Sequence, residues 1–260
     1  MTYKDQLNRR IQLDRVPKRI VSLVPSQTEL LVDLGLKSSI VGVTKFCVHP
    51  RSLRKEVEVV GGTKHVKVQK IKDLQPDIIL CNKEENSREI IESLKDLAPI
   101  HISDIYNLED CYELIDMYGK LFSVENHATE IVQEIIRKKS DFQIKRKNGI
   151  KPKVAYFIWK NPWMVSASHT FIDSMILEAG FENVFKELKR YPEIDLNHPS
   201  LQKADAIFLS SEPYPFKEEH VIELKSKFPE KKIIIVDGEL FSWYGSRLKH
   251  SFPYFETLLK

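Results

Sequence analysis

From Glu125 to about Lys147 the chain runs without a Pro or Gly, the first interruption being Gly149. The apolar residues of this stretch, Ile131, Ile135, Ile136 and Phe142, fall on roughly one stripe. An uninterrupted helical pattern of that length predicts a helix of ~30 Å, enough to cross one domain or to join two. On either side the pattern changes to short apolar runs alternating with amphipathic stretches, which predicts parallel β-α-β units. The expected fold is therefore α/β, with two α/β lobes of mostly parallel sheets joined by a single long α-helix. The expected boundaries are 1–122 for the first lobe, 123–148 for the linking helix and 149–260 for the second lobe.

The local signals are specific. Strands are expected at 19–24, 39–44, 78–81, 100–103, 154–159, 206–209 and 233–236, where apolar β-formers cluster between turn residues. Ser26 followed by Glu29 reads as a capping box opening a helix over 27–34, with Gly35 as its stop. Thr170 and Asp173 open a second such helix, closed by Gly180. Each half then runs from a Leu-Gln segment through an Asp into a buried strand, at 74–80 and at 201–209, so the halves echo one another.

Composition narrows the functional classes. Of 260 residues, 40 are basic and 37 acidic, leaving a net charge of +3. That surplus supplies no electrostatic footprint for nucleic acid. The run Lys145-Arg146-Lys147 reads as a solvated helix end. No apolar stretch approaches the ~20 residues of a membrane span, and the polar start has no signal-peptide core. As written, the chain is expected in the cytoplasm; with a trimmed start it would be periplasmic or lipid-anchored. Cys47, Cys81 and Cys111 form no CxxC unit and predict free thiols. With nine glycines and no P-loop, GxSxG, HExxH or dinucleotide fingerprint, no enzyme class is indicated.

In α/β units ligands gather where strands end and loops begin, and that rule selects five segments. At the first exit stands Gln27, beside a helix N-terminus. The second group comprises Phe46 and His49 with Lys64 and His65, the histidines able to meet a ligand's own metal. Cys47 adds a possible thiolate, but Cys-x-His with one distant His is not a zinc spacing, so no protein-only metal site is expected. The third group is Asn82, Glu84 and Glu85, polar residues directly after a buried strand; acids there also suit a helix start, and Asn86 suits a cap. Trp159 and Trp163 form the fourth, either a flat wall for a macrocycle or core filling. Last come Trp243, Tyr244 and Arg247, able to stack and to hold an anion, or else to plug the lobe.

The stretch Arg19-Ile20-Val21-Ser22-Leu23-Val24-Pro25-Ser26-Gln27-Thr28-Glu29-Leu30, its Gly35 stop and the following Val41-Gly42-Val43 resemble the opening of class III periplasmic binding proteins. The likeness continues through Val60-Gly61-Gly62-Thr63-Lys64, the strand entry at 74–80 and Leu177-Glu178-Ala179-Gly180-Phe181-Glu182-Asn183. It covers about residue 19 to the C-terminus and is nearest to vitamin B12 binders. The resemblance implies two lobes tied by a helix, no intrinsic cofactor and no catalysis. It implies a corrinoid, haem or ferric siderophore held between the lobes of a monomer, and an ABC permease as partner. The permease-docking acids of exported members would fall near Gln69 and Ser242, neither of them acidic. The KEEN and SWYGSR stretches are shared instead with signal-less relatives. An enzyme or chaperone handling a corrinoid or siderophore in the cytoplasm is the alternative reading.

Overall fold

The computed structural model describes residues 1–146 and 151–259. Lys147, the expected helix end up to residue 148 and the expected stop at Gly149 lie outside them. The chain divides into two compact units. The first comprises Met1–Ile105, Glu109–Arg137 and Tyr244–Lys249, the second Tyr106–Leu108, Lys138–Trp243 and His250–Lys260. Both are α/β, with parallel sheets.

The first unit starts with a hairpin, β1 (Thr2–Lys4) and β2 (Arg10–Gln12), which no sequence pattern announced. Its sheet contains β3 (Ile20–Ser22), β4 (Ile40–Val43), β5 (Glu58–Val59), β6 (Ile78–Asn82) and β7 (Ile100–Ser103), in the order β5-β4-β3-β6-β7 and all parallel. Every strand exit thus lies on one edge of the sheet, and the order reverses between β3 and β6. The helices are α1 (Pro25–Asp33), α2 (Leu53–Glu56), α3 (Val68–Asp73), α4 (Arg88–Leu94) and α5 (Leu108–Phe122). Ile71, Ile90 and Leu94 from α3 and α4 pack on Val21, Ile79 and Ile100 of the sheet.

The turn of the hairpin closes the β7 edge. Buried Asp5 accepts hydrogen bonds from the Leu7 and Arg9 amides (3.0 and 2.9 Å), the Arg9 side chain (2.9 Å) and the Ile102 amide (3.2 Å). Arg9 Nη2 donates in turn to the Ile100 carbonyl (2.7 Å). An edge that would otherwise present unpaired backbone groups is thereby occupied.

The helix α6 (Glu125–Lys145) is continuous, its residues belonging to the first unit as far as Arg137 and to the second from Lys138. Its buried stripe is Ala128, Ile131, Ile135 and Phe142; Ile136, expected on that stripe, is half exposed.

The second unit has β8 (Lys153–Trp159), β9 (Met164–Val165), β10 (Glu182–Asn183), β11 (Ala206–Ser210) and β12 (Lys232–Val236). Their order is β10-β8-β11-β12, parallel throughout, with β9 pairing antiparallel on β8. Its helices are α7 (Phe171–Glu178), α8 (Pro199–Gln202), α9 (Glu218–Lys227), α10 (Glu239–Ser242) and α11 (Leu248–Leu258). Phe142 packs on Phe252 and Phe255 of α11.

The two glycine stops close their helices alike. Gly35 (φ 81°) and Gly180 (φ 90°) adopt the left-handed conformation. The Leu36 amide donates to the Leu31 carbonyl and the Gly35 amide to that of Val32; Phe181 and Gly180 repeat this with Ile176 and Leu177. These paired bonds satisfy carbonyls that a helix end leaves orphaned. The helix starts differ from one another. Thr170 caps α7 through Oγ1 and the Asp173 amide (3.1 Å), as its sequence implies. The capping box at Ser26 does not form: α1 begins at Pro25, its N-cap is Val24, and no side chain caps it. Proline's fixed φ suits the first helical position and moves Ser26 inside the first turn. Glu29 is directed instead to Arg247.

Candidate functional site

The first unit's strand exits contain two kinds of residue. Where the strand order reverses, polar side chains bind one another. Gln27 is fully buried: its Nε2 donates to Ser103 Oγ (2.6 Å) and Tyr244 Oη (3.0 Å), and its Oε1 accepts from Tyr118 Oη (2.6 Å). Asn82 Nδ2 donates to the same Ser103 Oγ (2.9 Å), and its Oδ1 accepts the Glu84 and Glu85 amides (2.8 and 3.0 Å). Asn86 accepts the Asn82 amide and donates to the Thr63 carbonyl (both 2.9 Å), while Ser87 is the N-cap of α4. Burial raises the pKa of both Tyr118 and Tyr244, so both stay protonated donors. Gln27, Asn82 and Tyr244, expected to face a ligand, instead hold this edge together, because buried polar groups must find partners.

Around that knot stand exposed side chains. Phe46 is 48% exposed, with the Lys45 ammonium 4.9 Å from its ring centroid. Lys64 is exposed and donates through Nζ to the Glu84 carbonyl (2.7 Å), joining the loops after β5 and β6. Gly62 comes so close that a Cβ there would lie 3.2 Å from the Phe46 ring, so the Phe46 and Lys64 loops are in contact. His65 is exposed; His49, Glu84 and Glu85 are half-buried. Cys47 is fully buried, with Sγ 3.1 Å from Thr28 Oγ1 and 3.3 Å from Thr44 Oγ1. Burial pushes its thiol pKa up, which removes the thiolate considered from sequence. Among the described residues no three His, Cys, Asp or Glu side chains converge as a metal group.

The 243–247 segment is structural as well. In the second unit, Trp243 is 8% exposed and its Nε1 donates to Glu212 Oε1 (2.8 Å), which also accepts from Ser242 Oγ (2.6 Å). Burial raises the Glu212 pKa, helped by neighbouring Glu239 and Asp237 and opposed by the two hydrogen bonds. In the first unit, Arg247 grips Glu29 with two parallel hydrogen bonds (2.7 and 2.8 Å). Stacking and anion binding by Trp243, Tyr244 and Arg247 give way to packing and internal pairing.

The fourth expected group meets further aromatic rings in the second unit, and Trp163 packs against the hydrophobic core there. Trp159 is 39% exposed and meets Tyr214 edge-on (5.5 Å). Trp163 is half-buried and stacks on Phe216 (6.1 Å, 9°), with the Lys160 ammonium 5.3 Å from its ring. Tyr214 and Phe216 were missed in the sequence, although a Pro-Tyr-Pro-Phe run directly after a strand is a signal of the same kind as Trp159-Lys160-Asn161-Pro162-Trp163. Glu212 and its role were missed too. Among the described residues no helix is long and apolar enough to cross a membrane.

Comparison with known proteins agrees with this architecture. The profile of the family described as Periplasmic binding protein matches residues 20–230. An uncharacterised ABC transporter substrate-binding lipoprotein of Bacillus subtilis is 32% identical over 184 residues, which are 68% of this chain and 58% of that protein. The chain thus spans less than two thirds of that relative's length. A vitamin B12-binding protein of Vibrio parahaemolyticus is 23% identical over 74% of this chain and 70% of its own length. In structure, a possible iron-binding periplasmic solute-binding protein of Staphylococcus epidermidis superposes with a TM-score of 0.80. It is 22% identical, and the match covers 95% of this chain and all of that one. With the profile matching most of its length, the chain belongs to the periplasmic binding protein family.

Proposed function

We propose that the chain is the monomeric substrate-binding protein of an ABC importer and holds a corrinoid or another metal chelate, haem or a ferric siderophore, without altering it. The candidate ligand contacts of the first unit are the strand-exit residues left at least partly exposed, Phe46, His49, Lys64, His65, Glu84 and Glu85, and those of the second unit are Trp159 and Trp163. The observation that carries this reading is Phe46, a large aromatic ring left half exposed beside the Lys45 ammonium on an edge whose buried polar groups satisfy one another. An apolar ring next to a cation suits a conjugated ligand with acidic or amide side groups. The vitamin B12-binding relative and the possible iron-binding structural neighbour support the same chemistry.

Thermal unfolding with cyanocobalamin, hemin and ferrichrome tests it. A ligand at a hundredfold excess over Kd stabilises the folded state by about 2.7 kcal/mol, expected here as a melting shift of ~5–10 °C. The bound chelate should be recovered unchanged after prolonged incubation. No shift with any of the three would overturn the proposal.

A further inference from the structure

Tyr214 follows β11 and is held from three sides. Its ring meets Trp159 edge-on, lies 4.7 Å from Phe216 and stands T-shaped to His220 (5.4 Å). Its hydroxyl lies 3.2 Å from His220 Nε2. His220 is 5% exposed, and its Nδ1 accepts the Lys217 amide (2.9 Å). A neutral imidazole has one donor and one acceptor nitrogen. With Nδ1 accepting, Nε2 must carry the proton, so it donates to the tyrosine oxygen. Glu219 Oε1, at 3.8 Å from Nε2, is too far to compete. The tyrosine oxygen is therefore occupied on its inner side as an acceptor, and its own proton is directed away from His220. Tyr214 itself is partly exposed, next to exposed Trp159.

We propose that Tyr214, oriented by His220, is a specificity-determining residue of the second unit. It donates a hydrogen bond to a carboxylate or carboxamide oxygen on the rim of a flat conjugated macrocycle that lies against Trp159. The inference rests on the chelate-binding reading above and names the ligand feature recognised. It names a rim contact made by the hydroxyl proton rather than metal coordination by the tyrosine oxygen, and metal-free protoporphyrin IX separates the two. His220 acts through Tyr214 and is a positioning residue.

The test is titration of wild type, Tyr214→Phe, His220→Phe and the double variant with cyanocobalamin, hemin and metal-free protoporphyrin IX, followed by tryptophan fluorescence. Tyr214→Phe keeps the ring and its packing. It should weaken the macrocycle that wild type binds about tenfold, the loss expected for one hydrogen bond. His220→Phe should weaken it similarly, and the double variant no further than either alone, a coupling that a purely structural role would not produce. Hemin and protoporphyrin IX should show the same dependence. If wild type binds a macrocycle and Tyr214→Phe binds it within twofold, or loses hemin alone, the inference falls and the importer reading stands. If wild type binds none of the three, the inference falls together with the macrocycle form of that reading.

Discussion

The strand-exit edges of the two units are built from different chemistry. In the first unit the point of strand-order reversal is a closed polar knot of Gln27, Asn82, Ser103, Tyr118 and Tyr244. In the second unit the equivalent loops present aromatic rings, Trp159 and Tyr214 over Trp163 and Phe216, and one partly buried carboxylate, Glu212, tied to Ser242 and Trp243. Polar residues at a strand exit are thus no guide to a ligand by themselves. What sets the binding candidates apart is exposure: Phe46 and Trp159 keep large rings at the surface, whereas Gln27, Asn82 and Tyr244 are buried.

The largest effect at neutral pH that could break this comparison is at Gln27. Gln27→Leu removes the hub and takes from buried Tyr118 Oη its acceptor, while Ser103 Oγ keeps Asn82 Nδ2. An unpaired buried group costs about 1–3 kcal/mol, so denaturant unfolding should show a loss of about 2 kcal/mol. A loss below about 1 kcal/mol would mean that the knot is not holding the edge.

Next is pH, which should act on the two units with opposite sign. His101 of β7 is buried at 1% exposure, its two ring nitrogens have no hydrogen-bond partner, and burial pushes its pKa down to about 4. The unfolded chain binds this proton near pH 6.5, the folded chain only near 4. Stability from this group is therefore complete above pH 6.5 and is lost as pH falls toward 4, by about 3 kcal/mol. His101→Phe should abolish that difference between pH 6.5 and 4. Glu212 has a raised pKa, so its folded form favours the proton, and its contribution falls as pH rises through the folded pKa. Glu212→Gln should flatten that limb. Hydrogen exchange read separately on residues 78–103 and 206–243 across pH 4–7 would show whether the slopes oppose.

The smallest stability effect belongs to Phe46. A half-exposed ring outside the buried core leaves folding within about 0.5 kcal/mol when truncated, so Phe46→Ala should melt like wild type while weakening chelate binding about tenfold. Equal binding by Phe46→Ala would remove it from the site.

Much of the architecture was legible because it is local. Gly35 and Gly180 declared helix ends, Thr170 declared a start, and the apolar runs at 78–81 and 206–209 declared buried strands. The Ser26-to-Glu29 pattern misled because Pro25 takes the first helical position and Glu29 has a better partner 218 residues away. The same distance hid the roles of Gln27, Tyr244 and Arg247: their partners are set by tertiary folding, and no window of sequence contains both ends of the bond. The N-terminal hairpin was unread because its three-residue strands are too short to show alternation, and Asp5 gains its meaning from Ile102. Trp159 and Tyr214 carry the same sequence signal, an aromatic residue at or just past a strand end.

Amide hydrogen–deuterium exchange with and without saturating cyanocobalamin or hemin tests most directly the separation of structural from ligand-facing strand exits. Slowed exchange over residues 44–50, 61–66 and 211–216, with residues 24–30 and 243–248 unchanged, is the expected result. Protection confined to 24–30 and 243–248, with the loops of Phe46 and Tyr214 unaffected, would contradict it.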